Sequence, residues 1–215
     1  MSADFLKEVK NLLEIVIGPA EIAEKVTEFG FKNVDELLKA NNLSKIPDLP
    51  SKEKLELAKE QNKALIFRIS KDATGKEINL ALLKEKFGGL IYSSWYLTPP
   101  LPIAKEAIPT GWALVDLDPL AGSTEKTYDE QKKFIEGKPL HFKTPAADAY
   151  DLLVTFKATG QYFRKSPNNG RTAAVVNDEP IKISHFDKAG MCISKGWGKT
   201  VKSPEIGATT EMILS

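Results

Sequence analysis

Ala64-Leu65-Ile66-Phe67-Arg68-Ile69 is the stretch at which the chain changes character. It is a short apolar run closed by the turn-forming Asp72-Ala73-Thr74-Gly75, and it predicts a buried strand. On its N-terminal side every periodic segment is helical. Phe5, Val9, Leu12 and Val16 recur at helical spacing up to Gly18. Pro19 opens a second helix carrying Ile22, Val26 and Phe29 as far as Gly30. Asn33 with Glu36 caps a third through Leu37 and Leu38, and Ser51 caps a fourth ending near Asn62.

Beyond the run the pattern alternates. Leu80, Leu83 and Phe87 mark a helix stopped by Gly88-Gly89, Leu90 to Leu97 reads as a second strand, and Trp112 to Leu117 as a third. Thr127 and Glu130 form a capping box, and Thr144-Pro145 opens a helix that should stop near Gly160. From Arg171 the chain is strand and turn, with Thr172–Val176, Ile181–Phe186 and Met191–Ser194 as strands. The expected fold is therefore α+β: a helical subdomain over residues 1–63, then residues 64–215 as a mixed, mainly antiparallel sheet with packed helices.

Composition narrows function by exclusion. With 42% hydrophobic residues the chain can build an ordinary core. Its 30 basic and 29 acidic residues leave no long-range field to steer it to nucleic acid or anionic lipid. Met1 to Lys10 lacks the layout of a secretory signal, and no stretch is apolar enough to span a bilayer, so the chain is expected in the cytoplasm where it is synthesised. The single cysteine, Cys192, rules out an internal disulfide, and with His141 and His185 it matches no zinc pattern. No cofactor is expected.

Gly111-Trp112-Ala113-Leu114-Val115, Pro119-Leu120-Ala121-Gly122-Ser123, then Tyr128 and Gln131, together with Arg171 to Ile193 carrying Phe186-Asp187 and Gly190, resemble a group of uncharacterised bacterial and phage-associated proteins. In that group a GW-L strand leads through a PGS turn into a helix with a spaced Tyr and Gln, and an RT strand leads into an FD--G hairpin. The resemblance covers residues 64 to 207 and implies a shared fold, no activity, and a virion as one setting.

Four sets of residues could carry chemistry. Asp116-Leu117-Asp118 ends an apolar strand, and Asp-x-Asp can hold magnesium or divide nucleophile and acid roles in phosphoryl transfer, as in the haloacid-dehalogenase phosphatases. Pro119 and the absence of a later Asp-Asp pair depart from that pattern, which leaves a plain strand exit as the competing reading. Cys192 and His185 could form a nucleophile and base, although a cysteine between Met191 and Ile193 is ordinarily core. Ser184-His185 are neighbours that a strand would turn to opposite faces. Gly196-Trp197-Gly198-Lys199-Thr200 echoes a phosphate loop with the wrong glycine spacing and reads as a turn.

Two surfaces remain. Residues 157 to 204 hold nine basic side chains, Lys157, Arg164, Lys165, Arg171, Lys182, Lys188, Lys195, Lys199 and Lys202, against the acids Asp178, Glu179 and Asp187. With Tyr162, Phe163 and Trp197 they could hold a nucleic acid if they shared one face. The run from Tyr92 to Pro102, with Tyr92, Trp95, Tyr96, Pro99 and Pro100, plus Trp197, suits protein contact or could simply cover the sheet. The reading that follows is a non-enzymatic structural or interaction component of a larger assembly. A magnesium-dependent phosphoryl-transfer enzyme using Asp116 and Asp118 is the alternative, and a nucleic-acid module comes third.

Overall fold

The computed structural model describes residues 3–195, 197–212 and 214, with side chains from residue 8 onward. Its architecture is α+β, with eight α-helices and two mixed sheets among the described residues. The helices are α1 (Ala3–Leu12), α2 (Pro19–Lys25), α3 (Val34–Ala40), α4 (Lys52–Glu60), α5 (Leu80–Lys86), α6 (Pro102–Lys105), α7 (Tyr128–Ile135) and α8 (Pro145–Thr159). The strands are β1 (Val16–Ile17), β2 (Ala64–Arg68), β3 (Gly111–Val115), β4 (Leu140–Phe142), β5 (Asn169–Val176), β6 (Glu179–Ile183), β7 (Ile193–Lys195), β8 (Ile206–Ala208) and β9 (Thr210–Met212).

The predicted caps explain where helices begin. Asn33, Ser51, Thr127 and Thr144 each accept a hydrogen bond from the backbone N–H three residues on, and Gly30 and Gly160 close their elements in the left-handed conformation.

One sheet has the order β1-β2-β3-β9-β4, with β2 fully buried at the run that opened the sequence reading. β1 pairs with β2 in parallel, Val16 opposite Leu65. The N-terminal segment, expected as helix throughout, thus contributes an edge strand, and its first helix ends at Leu12 rather than at Gly18. The second sheet, β7-β6-β5-β8, is antiparallel except for β5 beside β8. α8 touches β1 as well as β5 and β6, and one hydrophobic core extends around it from Val9 to Met212. That helix is apolar on nearly all sides because it is covered on nearly all sides.

The strand expected over Leu90 to Leu97 does not form. Ile91 makes a single bridge to Met191 and Leu97 one to the nearby Pro100, and Ser93 and Trp95 between them lie along the edge of β7 instead. There Ser93 Oγ accepts from the Ile193 N–H at 2.8 Å and Trp95 Nε1 donates to the Ile193 carbonyl at 2.6 Å. Both backbone groups of Ile193 are thereby occupied by side chains. Among the described residues no helix is long and apolar enough to cross a membrane.

Candidate functional site

Asp116 follows β3 directly, and its position is dictated by what surrounds it. Its carboxylate accepts from Lys63 Nζ at 2.8 Å and from the Thr210 hydroxyl, while its carbonyl accepts from Lys143 Nζ at 2.7 Å. Asp118, two residues on, is exposed, because the strand has already ended at Val115. Both acids border a cleft of about 1150 Å³, which Glu14, Glu60, Lys63, Arg164 and Lys165 also line. Asp116 faces that cleft with its oxygens already engaged. Among the described residues no group of three or more His, Cys, Asp or Glu side chains is placed to hold a metal ion.

Beneath the cleft lies a buried ionic cluster. Lys143 Nζ contacts Asp148 at 2.6 Å and Asp151 at 3.2 Å, both on α8. Arg164 grips Asp148 with two nitrogens, at 2.5 and 2.8 Å, and Arg68 grips Asp151 at 2.9 and 2.7 Å. Arg68 also meets Glu211, whose carboxylate lies 2.8 Å from His141 Nε2. Burial alone would raise the carboxyl of Asp148, but Arg164 and Lys143 outweigh it and hold it at about 2. Burial is likewise overcome at Glu211, where the hydrogen bond from His141 and the charge of Arg68 bring it to about 2. Fork-shaped arginine pairs of this kind fix geometry as well as charge.

Of this cluster only Arg164 and His141 were named from the sequence, neither with these partners, although one signal was available. Asp148 and Asp151 interrupt a helix that is otherwise apolar on all sides, so their carboxylates had to be buried and therefore paired.

The remaining candidates disperse. His185 lies 3.7 Å from Asp187, whereas Cys192 joins Ser184 through the backbone, its N–H donating to Ser184 Oγ at 2.8 Å. Gly196 lies outside the described residues; Trp197 and Gly198 are left-handed, so the phosphate-loop echo is a turn. Five of the nine basic residues are paired with acids. Lys157, Arg164, Lys195, Lys199 and Lys202 pair with Glu28, Asp148, Glu179, Asp178 and Glu130, and Lys165 stands at the cleft. No family model, curated protein or solved structure matches the chain.

The second sheet carries the other concentration of features. Register places Arg171, Lys182 and Ser194 on one face, with Val175 and Pro180 continuing it beyond the irregularity in β5. The opposite face, with Ile181, Ile183 and Ile193, is core. Residues 197–203 cross the outward face as a strap. The Gly198 and Val201 carbonyls accept from Arg171 Nη2, and the Trp197 ring lies 4.2 Å from Lys182 Nζ. Tyr92 stands beside Ser184 and Cys192 at one end of the face.

The predicted contact residues divide accordingly. Tyr92 is 56% exposed and Trp197 49%, and Pro99 and Pro100 are exposed. Trp95 is half-buried against the edge of β7, and Tyr96 is wholly buried, so Tyr96 is a core residue and leaves the surface set. Val175 and Val201 were missed, because an isolated valine in a sequence carries no sign of the sheet face it joins.

Proposed function

We propose that this protein is an interaction component of a larger assembly and that the outward face of the second sheet is its contact surface. One observation carries the proposal. The large apolar side chains that stand exposed among the described residues are Tyr92, Val175, Trp197 and Val201, and all four belong to that face, its end or the strap across it. Scattered exposed apolar residues are ordinary; their collection on one face of one sheet is the pattern of a contact site rich in aromatic anchors. The resemblance to phage-associated proteins makes a virion one setting for such an assembly.

The phosphoryl-transfer alternative calls for carboxylates free to take a metal or attack a phosphorus centre. Asp116 has its oxygens committed to Lys63 and Thr210, which leaves only Asp118 of the pair. The contact reading is tested by native mass from light scattering over a concentration series, alone and with proteins that co-purify. A discrete multimer or complex that Trp197→Ala or Tyr92→Ser dissociates is the expected result; a strict monomer without partners at all concentrations sinks the proposal.

A further inference from the structure

Six lysine and arginine side chains are buried among the described residues, and they fall into two classes. Lys63, Arg68, Lys143 and Arg164 each have a carboxylate within hydrogen-bonding distance, at 2.8, 2.7, 2.6 and 2.5 Å respectively. Arg171 and Lys182 have none. They sit opposite one another on β5 and β6, both on the outward face. Arg171 donates to the carbonyls of Lys126, Gly198 and Val201 and lies 3.4 Å from Gln131 Oε1, while its buried Nε has no partner. Lys182 reaches Asn169 Oδ1 at 3.4 Å and lies under the Trp197 ring.

Two adjacent buried cations without a counter-charge are costly to hold. The groups that act on Lys182 are few. Burial lowers its pKa, the nearby Cys192 and Glu205 oppose that, and Arg171 adds to it. Glu205 acts through space and forms no ion pair with it. The remainder is a focused positive potential directly beneath the exposed indole of Trp197, on the face that also carries the exposed Val175.

We propose that the partner docking on this face brings a carboxylate to Lys182, so that the surface selects an acidic protein segment. The inference rests on the contact-surface reading and adds the chemistry of the partner. Charge complementarity commits it to protein: a nucleic-acid backbone needs a track of free cations, and most of the surrounding lysines are already paired with Asp178, Glu179 and Glu130. Apolar anchors around one ammonium match a segment in which an acidic residue stands among apolar ones.

The probe is a short oligoglutamate peptide, with oligoglutamine, inorganic phosphate and oligothymidylate as comparisons. The readout is the indole N–H signals of the three tryptophans in nitrogen-resolved NMR. Oligoglutamate should move the Trp197 signal, less so at high salt, and bind about tenfold or more tightly than oligoglutamine. Lys182→Met should abolish the response and Lys182→Arg should keep it, with the thermal midpoint of each variant confirming the fold. No response, a response that survives Lys182→Met, or equal binding of phosphate or oligothymidylate overturns the acidic partner. Association that Trp197→Ala removes and Lys182→Met leaves intact rejects the acidic partner but keeps the contact surface, whereas association indifferent to both rejects the surface itself.

Discussion

At the scale of single residues, the side chains of Ser123, Tyr128 and Gln131 are ties between backbones. Ser123 Oγ accepts from the Ala208 N–H at 2.9 Å and donates to the Leu120 carbonyl at 2.6 Å. Gln131 Nε2 donates to the carbonyls of Ser123 and Ile206, and the Tyr128 hydroxyl to those of Thr172 and Ala173. Three elements, α7, β5 and β8, are thus held by side chains that leave few buried backbone groups unsatisfied. The close approach this needs is visible at Gly207, where a Cβ would lie 2.6 Å from both Pro119 Cβ and Ser123 Oγ. Gly207→Ala should therefore lower stability by about 1–3 kcal/mol, the usual cost of overpacking, as read from the denaturant midpoint. An unchanged midpoint would show that the turn at Pro119 gives way freely.

Elements differ in how far they could be read in advance. α3, α4, α7 and α8 start where their capping residues said they would, because a cap is a local hydrogen bond and its partners are three residues apart. β1, β4, β8 and β9 are two or three residues long, too short to show alternation, and each exists only because a distant strand offers it a ladder. The same limit hid the ionic cluster, whose members Lys63, Arg68, Lys143, Arg164 and Glu211 are brought together by the sheets and not by spacing. Asp116 and Asp118 were named from the sequence, yet the lysine and threonine that occupy the first of them come from elsewhere in the chain.

The aromatic run was legible as chemistry and not as structure. Its Trp95 and the neighbouring Ser93 close the open edge of β7 by taking both backbone groups of Ile193. A variant carrying Ser93→Ala with Trp95→Phe frees that edge and should aggregate with increasing concentration while keeping its native circular dichroism. If it stays as soluble as the parent, the edge is protected by something other than these two bonds.

Across the whole molecule, charge near zero conceals a strongly uneven interior. Asp148 and Glu211 ordinarily titrate at 3.8 and 4.5, and the fold holds each at about 2. A depressed folded value means that the unfolded chain binds these protons more readily. The stability they confer is complete above about pH 5 and drains away as the pH falls toward 2. Denaturant midpoints measured across that interval should drop steeply, and Asp148→Asn, which loses one of the two groups, should flatten the acid limb. A flat profile in the parent protein would mean that the arginine forks do not hold the native state together.

The two sheets are joined by their last strands. β8 lies beside β5 in one sheet, and after Thr209 alone β9 enters the other between β3 and β4. Residues 206–212 therefore complete both sheets at once. Without them, β3 and β4 lack the strand that separates them and β5 has a bare edge. Both sheets therefore close in one step, and a cut or a register slip within these seven residues would open the two together.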